Sequence, residues 1–214
     1  MAEGTNRDYW DQYYQVPAAR NSTLPSQFAV FVLGEIRGAK HIVEFGCGSG
    51  RDSLFFAKSG LRVTGIDASA TAIAACQGEA FQHEYPASFY QAVLGENAII
   101  PMIWGGLPED LSDTILYARF FLHAINEEAQ RAFLDVASQM AASGATVAVE
   151  FRTHRDEKQS KVTESHYRRF INPTDFQRDV VLAGLKVDYF AEGVGFAKYG
   201  EDDAHVARFI IRKG

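Results

Sequence analysis

His41-Ile42-Val43-Glu44-Phe45-Gly46-Cys47-Gly48-Ser49-Gly50-Arg51-Asp52 is the stretch on which the fold turns. The apolar run His41 to Phe45 reads as a buried strand. Three glycines follow at alternate positions, and Arg51 to Ser59 reads as a helix. A second apolar run, Leu61 to Ile66, ends in Asp67. Strand, glycine turn, helix, strand and closing acid make the βαβ unit of a nucleotide-binding doubly wound sheet. Glycine permits the tight turn and lets a ligand lie against the backbone, and free N–H groups at the helix start offer donors. Asp67 lies 23 residues after Glu44 (67 − 44), near the offset of about 20 at which a carboxylate meets ribose hydroxyls.

The glycine spacing narrows the ligand. A dinucleotide fingerprint is G-x-G-x-x-G/A. Gly46 and Gly48 fit it, but Arg51 stands in the third place and Gly50 comes one residue early.

Outward from this unit, the remaining elements alternate. Ala87 to Ala92, Thr114 to Ala118, Ala145 to Phe151, Leu185 to Ala191 and Val206 to Ile211 read as strands three to seven. Helices are expected at Ser69–Gln77, from an Asn126 cap to Ala142 with Gly144 as stop, and at Pro173–Ala183 with Asn172 as cap. Ahead of strand one, Trp10, Tyr13 and Tyr14 suit a short helix ended by Pro17, and Ser26–Arg37 carries a helical stripe of Phe28, Phe31, Val32, Leu33 and Ile36. Residues 93–112 follow no clear period. The expectation is a Rossmann-like doubly wound α/β sheet of seven strands. It forms one domain over 1–214, with 1–38 a helical cap and 39–214 the core.

Composition bounds the function. Hydrophobic residues are 47% and charged residues 22% of 214, as in globular proteins. Net charge is −6, which argues against nucleic-acid binding. No apolar run is long enough to span a membrane and the N-terminus lacks a signal-peptide core. Cys47 and Cys76 form no metal spacing, so no metal is expected and a reducing cytoplasm is.

Glu44-Phe45-Gly46-Cys47-Gly48-Ser49-Gly50 resembles the first motif of class I S-adenosylmethionine-dependent methyltransferases. The resemblance implies a mostly parallel sheet with an antiparallel last strand, S-adenosyl-L-methionine as cofactor and S-adenosyl-L-homocysteine as product. It places Glu44, Phe45, Gly46, Cys47, Gly48, Gly50 and Arg51 at the methionine half. Asp67, with Ala68 and Ser69, falls at the ribose, and Gln91 and Ala92 are the nearest match to the adenine contact. Ala118 and Arg119 complete the cofactor set at the end of strand four.

The acceptor side is read from the ends of strands four and five, which face the crevice in such sheets. His123 is the candidate general base, weighed evenly against a structural histidine. Residues 152–169 hold six of the 21 Lys and Arg against three acids and pass into His166-Tyr167-Arg168-Arg169-Phe170. Arginine forks recognise carboxylate and phosphate oxygens, so Arg152, Arg168 and Arg169 point to a small anionic acceptor, against the alternative of a solvated loop. Tyr13 and Tyr14 offer aromatic faces for a sulfonium and phenols for an acceptor. Trp10…Tyr13-Tyr14, Arg119-Phe120-Phe121-Leu122-His123, Glu150-Phe151-Arg152 and His166–Phe170 together resemble methyltransferases of phosphonates in antibiotic pathways and of phosphorylated glycans. The expected activity is O-methylation of a phosphonate or phosphate in secondary metabolite or glycan biosynthesis, by a monomer or homodimer. The alternatives are a neutral hydroxyl or amine acceptor with His123 as base, and a non-catalytic S-adenosylmethionine-binding protein.

Overall fold

The computed structural model describes residues 3–16, 24–94, 103, 106–159 and 167–214, with side chains from Asp8 onward. Two compact units divide the chain, Met1–Gly106 and Leu107–Gly214. Seven strands form one sheet, in the spatial order Ala87–Gln91, Arg62–Asp67, His41–Phe45, Thr114–Arg119, Thr146–Arg152, Val206–Lys213 and Leu185–Gly193, the Rossmann-like arrangement expected from the alternating pattern.

In the first unit, helices α1 (Glu3–Gln15) and α2 (Gln27–Glu35) precede β1 (His41–Phe45), α3 (Arg51–Lys58), β2 (Arg62–Asp67), α4 (Ala70–Gln82) and β3 (Ala87–Gln91). Both β1–β2 and β2–β3 are parallel pairs. All five residues of β1 are buried, as a continuous apolar run in a parallel sheet requires. Helix α1 stacks Trp10 on Tyr14 and Tyr9 on Tyr13 at one-turn spacing. Pro17, its expected stop, lies outside the described residues.

Ser26 fixes the start of α2 in two ways. Its hydroxyl oxygen accepts the Ala29 N–H at 3.0 Å, the N-cap bond that satisfies an orphan donor. Its own N–H and O–H donate to the buried Asp52 carboxylate at 2.8 and 2.7 Å. Asp52 lies in the first turn of α3, where a negative charge meets the positive end of the helix dipole. One carboxylate thus ties two helix starts together.

The second unit holds β4 (Thr114–Arg119), a 3-10 turn at Leu122–Ala124, α5 (Glu127–Ala142), β5 (Thr146–Arg152), α6 (Pro173–Leu182) and β6 (Leu185–Gly193). A two-stranded hairpin, β7 (Lys198–Tyr199) and β8 (Asp202–Asp203), leads into β9 (Val206–Lys213). Asn126 and Asn172 cap α5 and α6 through their side-chain oxygens, as expected. The pair β4–β5 is parallel, whereas β9 runs antiparallel to both β5 and β6. Phe151, Phe176 and Phe209 pack at centroid distances of 4.9 to 5.7 Å behind this sheet. The hairpin, too short to show an alternating pattern, has no counterpart in the sequence reading.

Ser26→Ala removes the α2 cap and two bonds to a buried carboxylate. The expected cost is about 2 kcal/mol, read as a lower urea midpoint with an unchanged slope.

Candidate active site

The end of β1 turns through three left-handed glycines, with φ of 72° at Gly46, 53° at Gly48 and 80° at Gly50. Side chains rarely adopt that region, so the alternation of glycine is what allows the turn. The N–H groups of Gly46 and Cys47 both donate to Ile66 O, at 2.8 and 3.1 Å. Gly48 N–H donates to one Asp67 carboxylate oxygen at 2.8 Å, and Ser69 N–H to the other at 2.9 Å. Burial raises the Asp67 pKa, and these two N–H groups oppose the rise. Ala92 N–H donates to Asp67 O at 2.9 Å and the Gln91 amide to Ala68 O at 3.2 Å. The structure therefore gathers the glycine loop, Asp67, Ala68, Ser69, Gln91 and Ala92 at the carboxyl ends of β1, β2 and β3.

Helix α1 lies across this loop. A Cβ placed on Gly48 would come within 2.3 Å of the Tyr14 hydroxyl oxygen, so Gly48 makes room for that phenol. Burial, and then the Asp67 charge, raise the Tyr14 pKa well above its ordinary value. Tyr13 stands edge-on to Tyr14, 5.2 Å away. Asp11 holds α1 in place by accepting the Ser69 hydroxyl at 2.6 Å and the Thr71 N–H at 3.3 Å. The sequence reading missed Asp11; its place one helical turn before Gln15 on the Tyr14 side carries no local signal.

Glu44, Cys47 and Arg51 support the loop. Glu44 is buried and accepts the Ser53 hydroxyl, binding β1 to α3. Burial and the neighbouring Asp52 raise its pKa from 4.5 to about 8. The Cys76 thiol donates to Gly48 O at 3.3 Å and the Cys47 thiol to the same oxygen at 3.8 Å. Arg51 Nε lies 3.3 Å from Asp52. Phe45 is buried, at 4% exposure.

In the second unit, strand register sets Arg119 beside Glu150 and Glu150 beside Arg208. Arg119 Nε meets one Glu150 oxygen at 2.9 Å and Arg208 Nε the other at 2.6 Å. Two guanidiniums share one fully buried carboxylate. Arg152 shows the reverse. It pairs with Asp156 at 2.6 Å and with Asp202 from the hairpin, so two carboxylates share one guanidinium. Three arginines and three acids balance, and the sequence signal was present: Glu150 and Arg208 are lone charges inside apolar strand runs.

Phe120 stands at the end of β4 with φ of 55°, a true outlier for a bulky residue. Its N–H donates to Glu150 O at 2.8 Å. Its ring lies 4.1 Å from the Arg119 guanidinium and 5.3 Å from that of Arg152, and edge-on to the His123 ring at 5.1 Å. His123 is 4% exposed. Its Nδ1 accepts the Arg152 backbone N–H at 3.2 Å, and its carbonyl accepts the Arg169 N–H at 2.8 Å. Ala118 is buried in β4.

Arg169 differs from the other arginines. Its Nη2 donates to Gln130 Oε1 at 2.5 Å and to Leu122 O at 3.3 Å, both neutral. Its Nε is buried without a hydrogen-bond partner among the described residues. Desolvation lowers its pKa. Arg168 is half-buried beside it, and His166 lies outside the described residues.

Residues 42–144 match the family model described as a methyltransferase domain. No curated protein matches the chain in sequence. Solved structures share the fold. The CcbJ methyltransferase from Streptomyces caelestis is similar with a TM-score of 0.71 at 14% identity, over 98% of each chain. A TehB-like SAM-dependent methyltransferase from Corynebacterium glutamicum gives 0.65 at 15% identity over the whole of both chains. Magnesium protoporphyrin IX methyltransferase from Synechocystis, with bound SAM, gives 0.58 at 15% identity, covering 86% of this chain and 76% of that one. The family match spans 103 of the 214 residues (144 − 42 + 1), and these methyltransferases share the chain's fold.

The raised Glu44 pKa has a stability consequence. The folded chain keeps this carboxyl protonated while the unfolded chain ionises it near 4.5, so stability falls as pH rises from 4.5 through about 8. Glu44→Gln, neutral throughout, is expected to flatten this decline, so that thermal midpoints of variant and parent separate progressively across the same window.

Proposed function

We propose that the chain is an S-adenosylmethionine-dependent O-methyltransferase for a small anionic acceptor, a phosphonate or phosphate, in secondary metabolite or glycan biosynthesis. The single observation that carries the anionic reading is Arg169. Its half-buried guanidinium hydrogen-bonds neutral oxygens among the described residues and feels the carboxylates of Glu127 and Asp179 only through space, whereas the charge of Arg152 is met by two carboxylates in direct contact; that difference favours Arg169 as the cation available to an anionic ligand. Arg168, next in the chain, adds a second fork. In this reading residues 1–214 act as one methyltransferase domain, with 1–38 as its cap and 39–214 as its core. Two free thiols suit a reducing cytoplasm. Among the described residues no helix is long and apolar enough to cross a membrane.

The chain's groups suit the cofactor. Asp67 retains lone pairs after two N–H bonds, and Tyr14 presents a phenol over Gly48. The cofactor supplies a methyl group activated by a sulfonium. Asp67 would accept the ribose hydroxyls, the glycine loop would border the methionine half, and Tyr13 and Tyr14 would face the cation. Gln91, Ala92, Ala118 and Arg119 complete the cofactor set in this proposal. An anionic oxygen needs no base, so alignment is the chain's main task. Arg169 and Arg168 would grip the non-attacking oxygens, since a strong bond to the attacking oxygen would blunt it.

Two variants test this. Asp67→Ala should weaken S-adenosylmethionine binding by ~100-fold or more in calorimetry, the loss of about 3 kcal/mol; unchanged affinity would refute the cofactor assignment. Arg169→Ala should raise the KM for a phosphonate acceptor by at least ~10-fold with cofactor affinity intact. An unchanged acceptor KM would favour a neutral acceptor.

A further inference from the structure

We infer that His123 is a positioning residue that fixes Arg152 and Arg169, and that it removes no proton from the acceptor. The inference rests on the reading of Arg169 as the cation that holds the acceptor.

Four observations converge on the ring and its backbone. His123 is buried in a 3-10 turn directly after β4. Its Nδ1 accepts the Arg152 backbone N–H at 3.2 Å, so the neutral imidazole carries its hydrogen on Nε2. In that tautomer the ring's one lone pair is already committed, and proton abstraction would first require breaking a buried backbone bond. Its carbonyl accepts the Arg169 N–H at 2.8 Å, and the carbonyl of its neighbour Leu122 accepts Arg169 Nη2 at 3.3 Å. The turn therefore grips Arg169 at both its backbone and its side chain.

Phe120 explains why the ring is held so firmly. The left-handed backbone at Phe120 is strained and persists only because surrounding contacts enforce it. The Glu150 carbonyl, two guanidiniums and the His123 edge are those contacts. The consequence is a fixed sequence of neighbours: Phe120 sets the His123 ring, the ring holds the end of β5 at Arg152, and the His123 carbonyl places Arg169.

His123→Asn tests the inference, because the asparagine oxygen takes the place of Nδ1 as acceptor but is no base at neutral pH. The asparagine variant should keep kcat within about threefold of the parent and keep the parent's pH–rate profile. His123→Ala should raise acceptor KM by ~10-fold while S-adenosylmethionine affinity stays constant in calorimetry. Loss of the ascending limb of the pH–rate profile together with kcat in His123→Asn would overturn the inference in favour of a base. A readout that needs no acceptor is long-range proton–nitrogen NMR of the parent imidazole. Hydrogen on Nε2 and none on Nδ1 supports the inference, and the opposite tautomer refutes it even if His123→Ala does not fold. Failure of Arg169→Ala to change acceptor KM strikes the anionic reading instead and leaves the tautomer result standing.

Discussion

Glu150 sits in the sheet with no exposed surface, and the second unit depends on how that charge is met. A buried carboxylate is tolerated when paired and hydrogen-bonded, and breaking such a pair costs about 3–5 kcal/mol. Strand register supplies a guanidinium from each side. The carbonyl of Glu150 also receives the Phe120 N–H. Register, side-chain charge and the left-handed turn after β4 are thus one constraint seen three ways. A slip of one residue in β4 or β9 would remove an arginine from the row and turn its neighbours to the opposite face.

The first unit is governed by a different bond, that from Gly48 N–H to Asp67. It ties the glycine loop to the end of β2, and Ser69 extends the tie to the start of α4. The carboxylate is consequently both a structural anchor and the group offered to a ribose. These roles are compatible because each carboxylate oxygen has more than one lone pair. Asp11, Tyr14 and the two thiols then fill the remaining sides of the loop.

The succession of strands and helices was legible because each βα unit carries its own punctuation: Gly46 to Gly50, the Asn126 and Asn172 caps, and Gly144. The antiparallel last strand was implied by the resemblance of the glycine motif to class I methyltransferases, and β9 runs that way. What escaped was long-range. Ser26 reads locally as a cap, yet its partner Asp52 is 26 residues away. The arginines read as a group of free cations, but Asp202, fifty residues from Arg152, takes part of that charge. Only when the partners are known does Arg169 stand apart from Arg152. No periodicity reports Phe120's left-handed backbone, because aromatic residues adopt it so seldom.

The hairpin between β6 and β9 has the look of an interchangeable surface loop, yet it inserts Asp202 against Arg152 and the Phe196 carbonyl against Arg208. It is therefore a counter-ion of the interior carried on an exterior segment. Descendants of this chain are free to vary Tyr199 and Glu201 at its tip, both exposed, but a wholesale exchange of the hairpin would leave Arg152 with one of its two carboxylates unless the acid travelled with it. The evolvability of this edge is bounded by charge balance as well as by shape.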